Sequence, residues 1–220
     1  VVLGAATVTD DVEGEVISRA DVSAITDAQI EAEMAKMRGT IMQRPSSVSA
    51  VKVDGERAYD RVRAGESVEL ASREVTISQL DITAIRRIEN AIEVDIEVTC
   101  SAGTFIRAIA RDCGDALAVG GHLNALRRTR VAGFGLDKAI SLTSLKAGEF
   151  ATLPLVDVAR TTFTARELAL EEVNELSFGR PLSPNPDEAI YAAISGQELI
   201  ALLCNKDALA KPIAVFAAAN

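Results

Sequence analysis

The sequence has 220 residues, 48% hydrophobic and 25% charged, ordinary globular usage that excludes a disordered or collagen-like chain and suits one large domain or a domain with a small appendage. Its 23 basic and 32 acidic residues give a net charge of −9, a total that by itself argues against a polyanionic partner. A single histidine, His122, and three widely spaced cysteines, Cys100, Cys113 and Cys204, match no zinc or disulfide pattern; His-rich metal sites are excluded, any Ser/His/Asp chemistry would depend on one ring, and reduced, buried thiols are expected.

The opening VVLGAATVTDDVEGEVI reads as a strand, an acidic loop and a second short strand. DDVEGE is too short for a calcium loop and has Val12 where a ligand is needed. Thr26 with Gln29 forms a capping box for a helix carrying Ile30, Met34 and Met37 on one face, with Gly39 as its stop. Val51 and Val53 alternate before Asp54 and Gly55, a strong hairpin signal, and Gly65 closes a short helix around Ala58 to Val62. Val75 and Ile77 begin a strand whose later Leu80 and Ile82 are out of phase, which predicts a bulge near Gln79. From Ile92 to Cys100 the alternation is strict, with Ile92, Val94, Ile96, Val98 and Cys100 inward, as in a half-buried antiparallel strand.

SAGTFIRAIARDCGDALAVGGH is a strand end feeding a helix, with Ile106, Ile109, Cys113 and Leu117 on the apolar stripe and Arg107 and Arg111 one turn apart on the polar face. His122 reads as a turn or capping residue rather than a general base. After a boundary near Leu153, Thr164 with Glu167 reads as a second capping box, leading a helix with Leu170, Val173 and Leu176 that stops at Gly179 and Pro181. AIYAAIS, ELIALLC and KPIAVF then read as three short strands. The expected fold is α+β: a mixed, largely antiparallel sheet with flanking helices over residues 1–150, and a small β-rich module over residues 151–220.

The acidic total hides two basic islands. From Lys36 to Arg63 there are seven basic and three acidic residues, and from Cys100 to Arg130 five basic and two acidic. A polyanion could dock there; a solvated mixed-charge surface is the competing reading. The densest chemistry is GTFIR followed by HLNALRRTR. Phe105 could stack on a base and Arg107 could pair with a carboxylate at a helix start, although for either residue alone core packing or a surface ion pair is the blander reading. Arg127, Arg128 and Arg130 resemble RNA-phosphate contacts, with a solvated charged face as the competing reading, and Lys52 inside an apolar strand must snorkel or meet a partner. No apolar run approaches the roughly 18 residues of a bilayer crossing, no secretion signal is evident, and the expectation is a soluble, cytoplasmic protein. The start at Val1, inside a strand pattern, suggests a fragment.

The stretches LGAATVTDDVEGEV, RGTIMQRPSSVSAVKVDGERAYDRVRAGESVEL, CSAGTFIRAIARDCGDALAVGGHLNALRRTRV and FGLDKAISL resemble, in order, the TruB family of tRNA pseudouridine synthases, and SSVSAVKVDGERAY resembles its actinobacterial branch. The resemblance implies a pseudouridine synthase core, followed from about Leu153 by a PUA-like RNA-binding domain. The implied activity flips the T-loop uridine-55 out of tRNA, attacks it with an aspartate and rejoins the base through carbon, without metal or cofactor. By the same resemblance Phe105 takes the place of an aromatic, usually tyrosine, in the uracil pocket. Arg107 matches the arginine that orients the catalytic aspartate, Leu126 matches the leucine lining the base site, and Lys52 lies in a motif that supports that region. The implied partner is the T-arm of tRNA, and a monomer is expected. The family's GGTLDP-like nucleophile motif and its KxY-like stretch do not occur in the 220 residues. Asp112 and Asp115, within the Arg107 helix, match neither, so the nucleophile is expected upstream and Arg107 is expected to lack that catalytic aspartate as its partner within the 220 residues. The alternative is a catalytically silent tRNA-binding or tRNA-folding module.

Overall fold

The structure is a computed structural model that describes residues 1–46, the backbone of 52–53 and 56–57, and residues 70–186 and 189–217. It divides into two compact units, Val1–Arg127 and Arg128–Asn220, whereas the change of sequence character falls near Leu153.

The first unit is built on a five-stranded sheet. Its members are β1 (Val2–Leu3), β4 (Gly39–Gln43), β7 (Arg73–Ile88), β8 (Ala91–Cys100) and β9 (Gly121–His122), in the order β4-β7-β8-β1-β9, and every pairing is antiparallel. The opening apolar run is not one strand. Gly4, at φ +113°, where a Cβ would lie 2.8 Å from the Asn90 carbonyl, ends β1 and sends β2 (Ala5–Thr7) into a separate hairpin with β3 (Val16–Arg19).

The expected bulge in β7 is present as a register shift between Ile77 and Gln79; it lets Val75, Ile77 and Leu80 all face inward despite their broken alternation. In β8, Ile92 and Val94 are completely buried, while the opposite face carries Arg86 of β7 between Glu93 and Asp95. One face is dry and the other wet, as a period of two requires.

Among the described residues, two helices cover the dry face. The first, α1 (Asp27–Ala35), starts at the Thr26/Gln29 capping box, buries Ile30 and Met34 completely and ends before Gly39, which begins β4. The second, α2 (Ile106–Ala116), buries Ile109 and Cys113. These side chains form one core with Leu3, Ile77, Leu80, Ile92 and Val94. Burial pushes the Cys113 thiol up to about 11, so it stays protonated at neutral pH, and all three cysteines are free thiols. His122 is a buried strand residue whose Nδ1 lies 3.0 Å from the Ala5 carbonyl, which excludes it as a general base facing solvent. The hairpin expected at Asp54–Gly55 is borne out in its arms, β5 (Lys52–Val53) pairing with β6 (Glu56–Arg57). Its turn residues, the Lys52 side chain and the helix expected around Ala58 to Val62 lie outside the described residues.

The second unit begins with a two-stranded ribbon, β10 (Arg130–Val131) and β11 (Phe134–Gly135), and two helices, α3 (Leu142–Lys146) and α4 (Leu155–Thr162). A four-stranded sheet follows, in the order β12 (Thr164–Glu167), β13 (Tyr191–Ser195), β14 (Glu198–Lys206) and β15 (Leu209–Val215). The last three are the strands expected from the sequence. The second capping box is corrected: Thr164 to Glu167 is a strand, pairing in parallel with Tyr191–Ile194. The helix α5 (Leu170–Ser177) starts later, with the Glu172 carboxylate accepting the Ala169 N–H at 3.0 Å. Pro212 sits in β15, an edge strand, where a missing N–H is tolerated.

The packing of α2 against β9 fixes the C-terminal part of the helix that carries Arg107. A Cβ on Gly114 would fall 2.2 Å from the Gly120 carbonyl carbon and the Gly121 nitrogen. Gly114→Ala is therefore expected to destabilise the first unit by about 1–3 kcal/mol, read as a lower urea midpoint in equilibrium unfolding; an unchanged midpoint would contradict this packing.

Candidate active site

One rung of the sheet grips the start of α2. Gln43 and Arg73 stand opposite each other in the β4–β7 ladder, and both reach the turn that leads into the helix. The Gln43 side chain, 1% exposed, accepts the Phe105 N–H at 2.7 Å through Oε1 and donates to the Phe105 carbonyl at 2.9 Å through Nε2. The amide thus replaces a missing strand neighbour and caps a helix whose N-cap, Phe105, has no capping side chain. Arg73 donates to the Gly103 carbonyl at 2.7 Å, and its guanidinium lies 4.1 Å from the centre of the Phe105 ring. Such a stack is worth about 0.5–1 kcal/mol at an exposed site.

Two residues on, Arg107 turns to the acidic loop that follows β2. Its Nη1 donates to Asp11 Oδ2 at 2.7 Å and to the Thr9 carbonyl at 3.1 Å, and both side chains of the pair are partly buried, 30% and 23% exposed. The other Asp11 oxygen accepts from Thr9 Oγ1 at 2.5 Å and from the Glu13 N–H at 3.2 Å. Ser46, completely buried, donates to the Thr9 carbonyl at 3.1 Å. The acidic loop is therefore a rigid carboxylate mount. Arg107 thus pairs with Asp11, 96 positions away, a carboxylate in no nucleophile motif and distinct from the aspartate that the resemblance places upstream.

Burial works to raise the Asp11 pKa, but the hydrogen bonds from Thr9 and Arg107, the Arg107 charge and the Glu13 N–H together hold it below the usual carboxylate range. A second pair lies one helical turn along: Arg111 reaches Asp10 and Asp112. Among the described residues no cluster of three or more His, Cys, Asp or Glu side chains is arranged to hold a metal ion.

The structure brings Phe105 and Arg107 together with Asp11, Gln43 and Arg73. It leaves Leu126, 57% exposed, and Arg127 on the open segment after β9, and Arg128 and Arg130 exposed at the start of the second unit. Asp11, Gln43 and Arg73 are not evident from the sequence. The one available signal is a pair of adjacent aspartates, Asp10 and Asp11, matching two arginines spaced one turn apart.

The start of α2 joins an arginine–carboxylate pair to an aromatic residue two positions earlier, and the comparisons define the class as pseudouridylate synthases. Residues 1–106 match the model described as TruB family pseudouridylate synthase (N terminal domain). Residues 107–152 match the tRNA pseudouridylate synthase B C-terminal domain, and 163–217 the tRNA Pseudouridine synthase II, C terminal. The tRNA pseudouridine synthase B of Mycobacteroides abscessus is 50% identical over 219 residues, covering 99% of this chain and 74% of that protein. The protein of the same name from Arthrobacter sp. is 47% identical over 230 residues, covering 99% and 75%. In fold, the chain is similar to one in the "Crystal Structure of a Cbf5-Nop10-Gar1 Complex", with TM-score 0.63 and 20% identity, over 98% of this chain and 65% of that one. The chain belongs to the TruB family of pseudouridylate synthases. It spans about three quarters of the curated relatives' length and just under two thirds of that solved chain.

Because the folded pKa of Asp11 lies below its unfolded value, the group contributes stability above the ordinary carboxylate range and loses it as pH falls through the lowered pKa. The unfolding free energy of the unsubstituted protein is expected to exceed that of Asp11→Asn at pH 7, with the gap narrowing toward pH 3. Urea titrations of both across that range would show it, and a gap independent of pH would contradict the assignment.

Proposed function

We propose that the protein to which these residues belong isomerises the T-loop uridine-55 of tRNA to pseudouridine. The observation that carries this is the Arg107–Asp11 pair, fixed at the start of α2 two residues from the Phe105 ring. Isomerisation needs no cofactor: the glycosidic C–N bond breaks, the base rotates, C5 bonds to the ribose carbon, and the C5 proton is lost while N1 gains one. The protein must hold an extruded base, whose unstacking costs a few kcal/mol, and aim a nucleophilic carboxylate. Phe105 supplies an apolar ring face, and the family resemblance is the support for giving Leu126 and Lys52 a part in the base site. Arg107, held by Asp11, orients the nucleophile, which makes pre-organisation the main catalytic contribution of these residues.

No GGTLDP-like motif occurs among the 220 residues, so the nucleophile is assigned to a segment outside them. Arg127, Arg128 and Arg130 meet phosphates, and residues from about Leu153 onward serve as the PUA-like RNA-binding module. The enzyme acts on the folded T-arm as a monomer in the cytoplasm. The missing motif favours a second reading for the 220 residues taken alone, a tRNA-binding or tRNA-folding module without turnover.

Tritium release from uridine-labelled tRNA separates the two readings. A chain extended upstream through the nucleophile motif is expected to turn over, and the 220 residues alone are not; turnover by the short chain would refute the assignment of the nucleophile. In the extended enzyme, Arg107→Ala is expected to abolish pseudouridine formation while tRNA binding in a filter assay stays largely unchanged. Near-normal turnover by that variant would remove Arg107 from the mechanism.

A further inference from the structure

Asp10 takes no part in the proposed chemistry, yet it is built into the fold more tightly than Asp11. Its side chain is 12% exposed and that of Arg111 11%, with Arg111 Nη1 donating to Asp10 Oδ2 at 3.1 Å. Arg111 also donates through Nε to Asp112 at 2.8 Å and through Nη2 to the Arg44 carbonyl at 2.8 Å, so three separate donors of the guanidinium are engaged.

The backbone explains why two successive aspartates serve one helix. Neighbouring side chains on an extended strand point to opposite sides. Asp10 instead lies at φ +59°, in the left-handed region that aspartate and asparagine tolerate better than most residues. This turn brings both carboxylates to the polar face of α2, where Arg111 takes Asp10 and Arg107, one turn earlier, takes Asp11. The flanking backbone is pinned as well: the Leu123 N–H donates to the Asp10 carbonyl and the Val12 N–H to the Leu123 carbonyl, both at 2.9 Å.

We propose that the Asp10–Arg111 pair is a positioning device for the Asp11–Arg107 pair: it holds the left-handed turn closed and thereby fixes the distance and direction from which Asp11 meets Arg107. The proposal rests on the role given to Arg107 above. A buried ion pair is a poor source of net stability but a good determinant of register, and a displacement of about 1 Å in a catalytic constellation can cost about 100-fold in rate.

The test uses the full-length enzyme, single-turnover pseudouridine formation on a tRNA transcript, tRNA affinity and thermal melting. Asp10→Asn preserves shape and tolerance of the left-handed turn while removing the charge; Arg111→Lys preserves the charge while removing the fork. Each variant is expected to slow formation by about 10- to 100-fold, with tRNA affinity changed less than about twofold. Placed in an Asp11→Asn background, Asp10→Asn is expected to slow the reaction further by less than about twofold, because the two act as a unit. Unchanged rates in both single variants overturn the proposal. So does an equal fold-loss with and without Asp11, which would give Asp10 a role of its own. If melting shows that Asp10→Asn does not fold, Arg111→Lys decides by the same criteria. A parent enzyme that forms no pseudouridine overturns the reading of the site and this proposal with it; an active parent with indifferent variants overturns the positioning role alone.

Discussion

The first unit depends on one constraint: a carboxylate on a loop and a guanidinium at a helix start must meet across 96 positions of chain. Neither the sheet nor the helices alone would place them. Asp11 is held by Thr9, Glu13 and Arg107, and the loop beneath it by the buried Ser46 and by Leu123. A partly exposed ion pair contributes little net stability, so so many contacts on one carboxylate are better understood as orientation, fixed before any substrate arrives. Orientation of this kind removes reorganisation from the reacting step.

The same logic runs through the sheet. The Gln43–Arg73 rung converts the register of β4 against β7 into the position of the Phe105 ring and of the first turn of α2. Close backbone packing at Gly114 and Gly121 sets the other end of that helix. Between these fixed points, Ile109 and Cys113 lock the helix into the core formed with α1 and the dry face of the sheet. A base-modifying enzyme benefits from holding its functional side chains on such a rigid frame.

Much of this frame is written locally. The strict alternation of Ile92 to Cys100, the phase break that marks the β7 bulge, the Thr26/Gln29 cap and the arms of the Lys52 to Arg57 hairpin each depend on neighbouring residues, and each appears where periodicity or turn chemistry puts it. Thr164 to Glu167 shows the limit. A T-x-x-E pattern is equally compatible with a helix start and with an exposed strand, and parallel pairing with Tyr191–Ile194, remote in sequence, decides for the strand. In α4, Val156, Val158, Thr161 and Thr162 are weak helix formers, and its formation rests on burying Val156 and Ala159. At the site, Phe105 and Arg107 stand out as residue types in a motif. Asp11 and Gln43 do not, because an acidic loop residue and a strand-end glutamine acquire their meaning only from partners brought by the tertiary fold.

The most direct measurement is a structure of the full-length enzyme bound to a tRNA stem-loop carrying a non-reacting uridine analogue. The account predicts that Arg107 keeps Asp11 on one edge of its guanidinium and holds the nucleophilic carboxylate on another, each within about 3 Å, with the extruded base beside Phe105. An Arg107 released from Asp11, or one with no second carboxylate within reach while the base is in place, would contradict it.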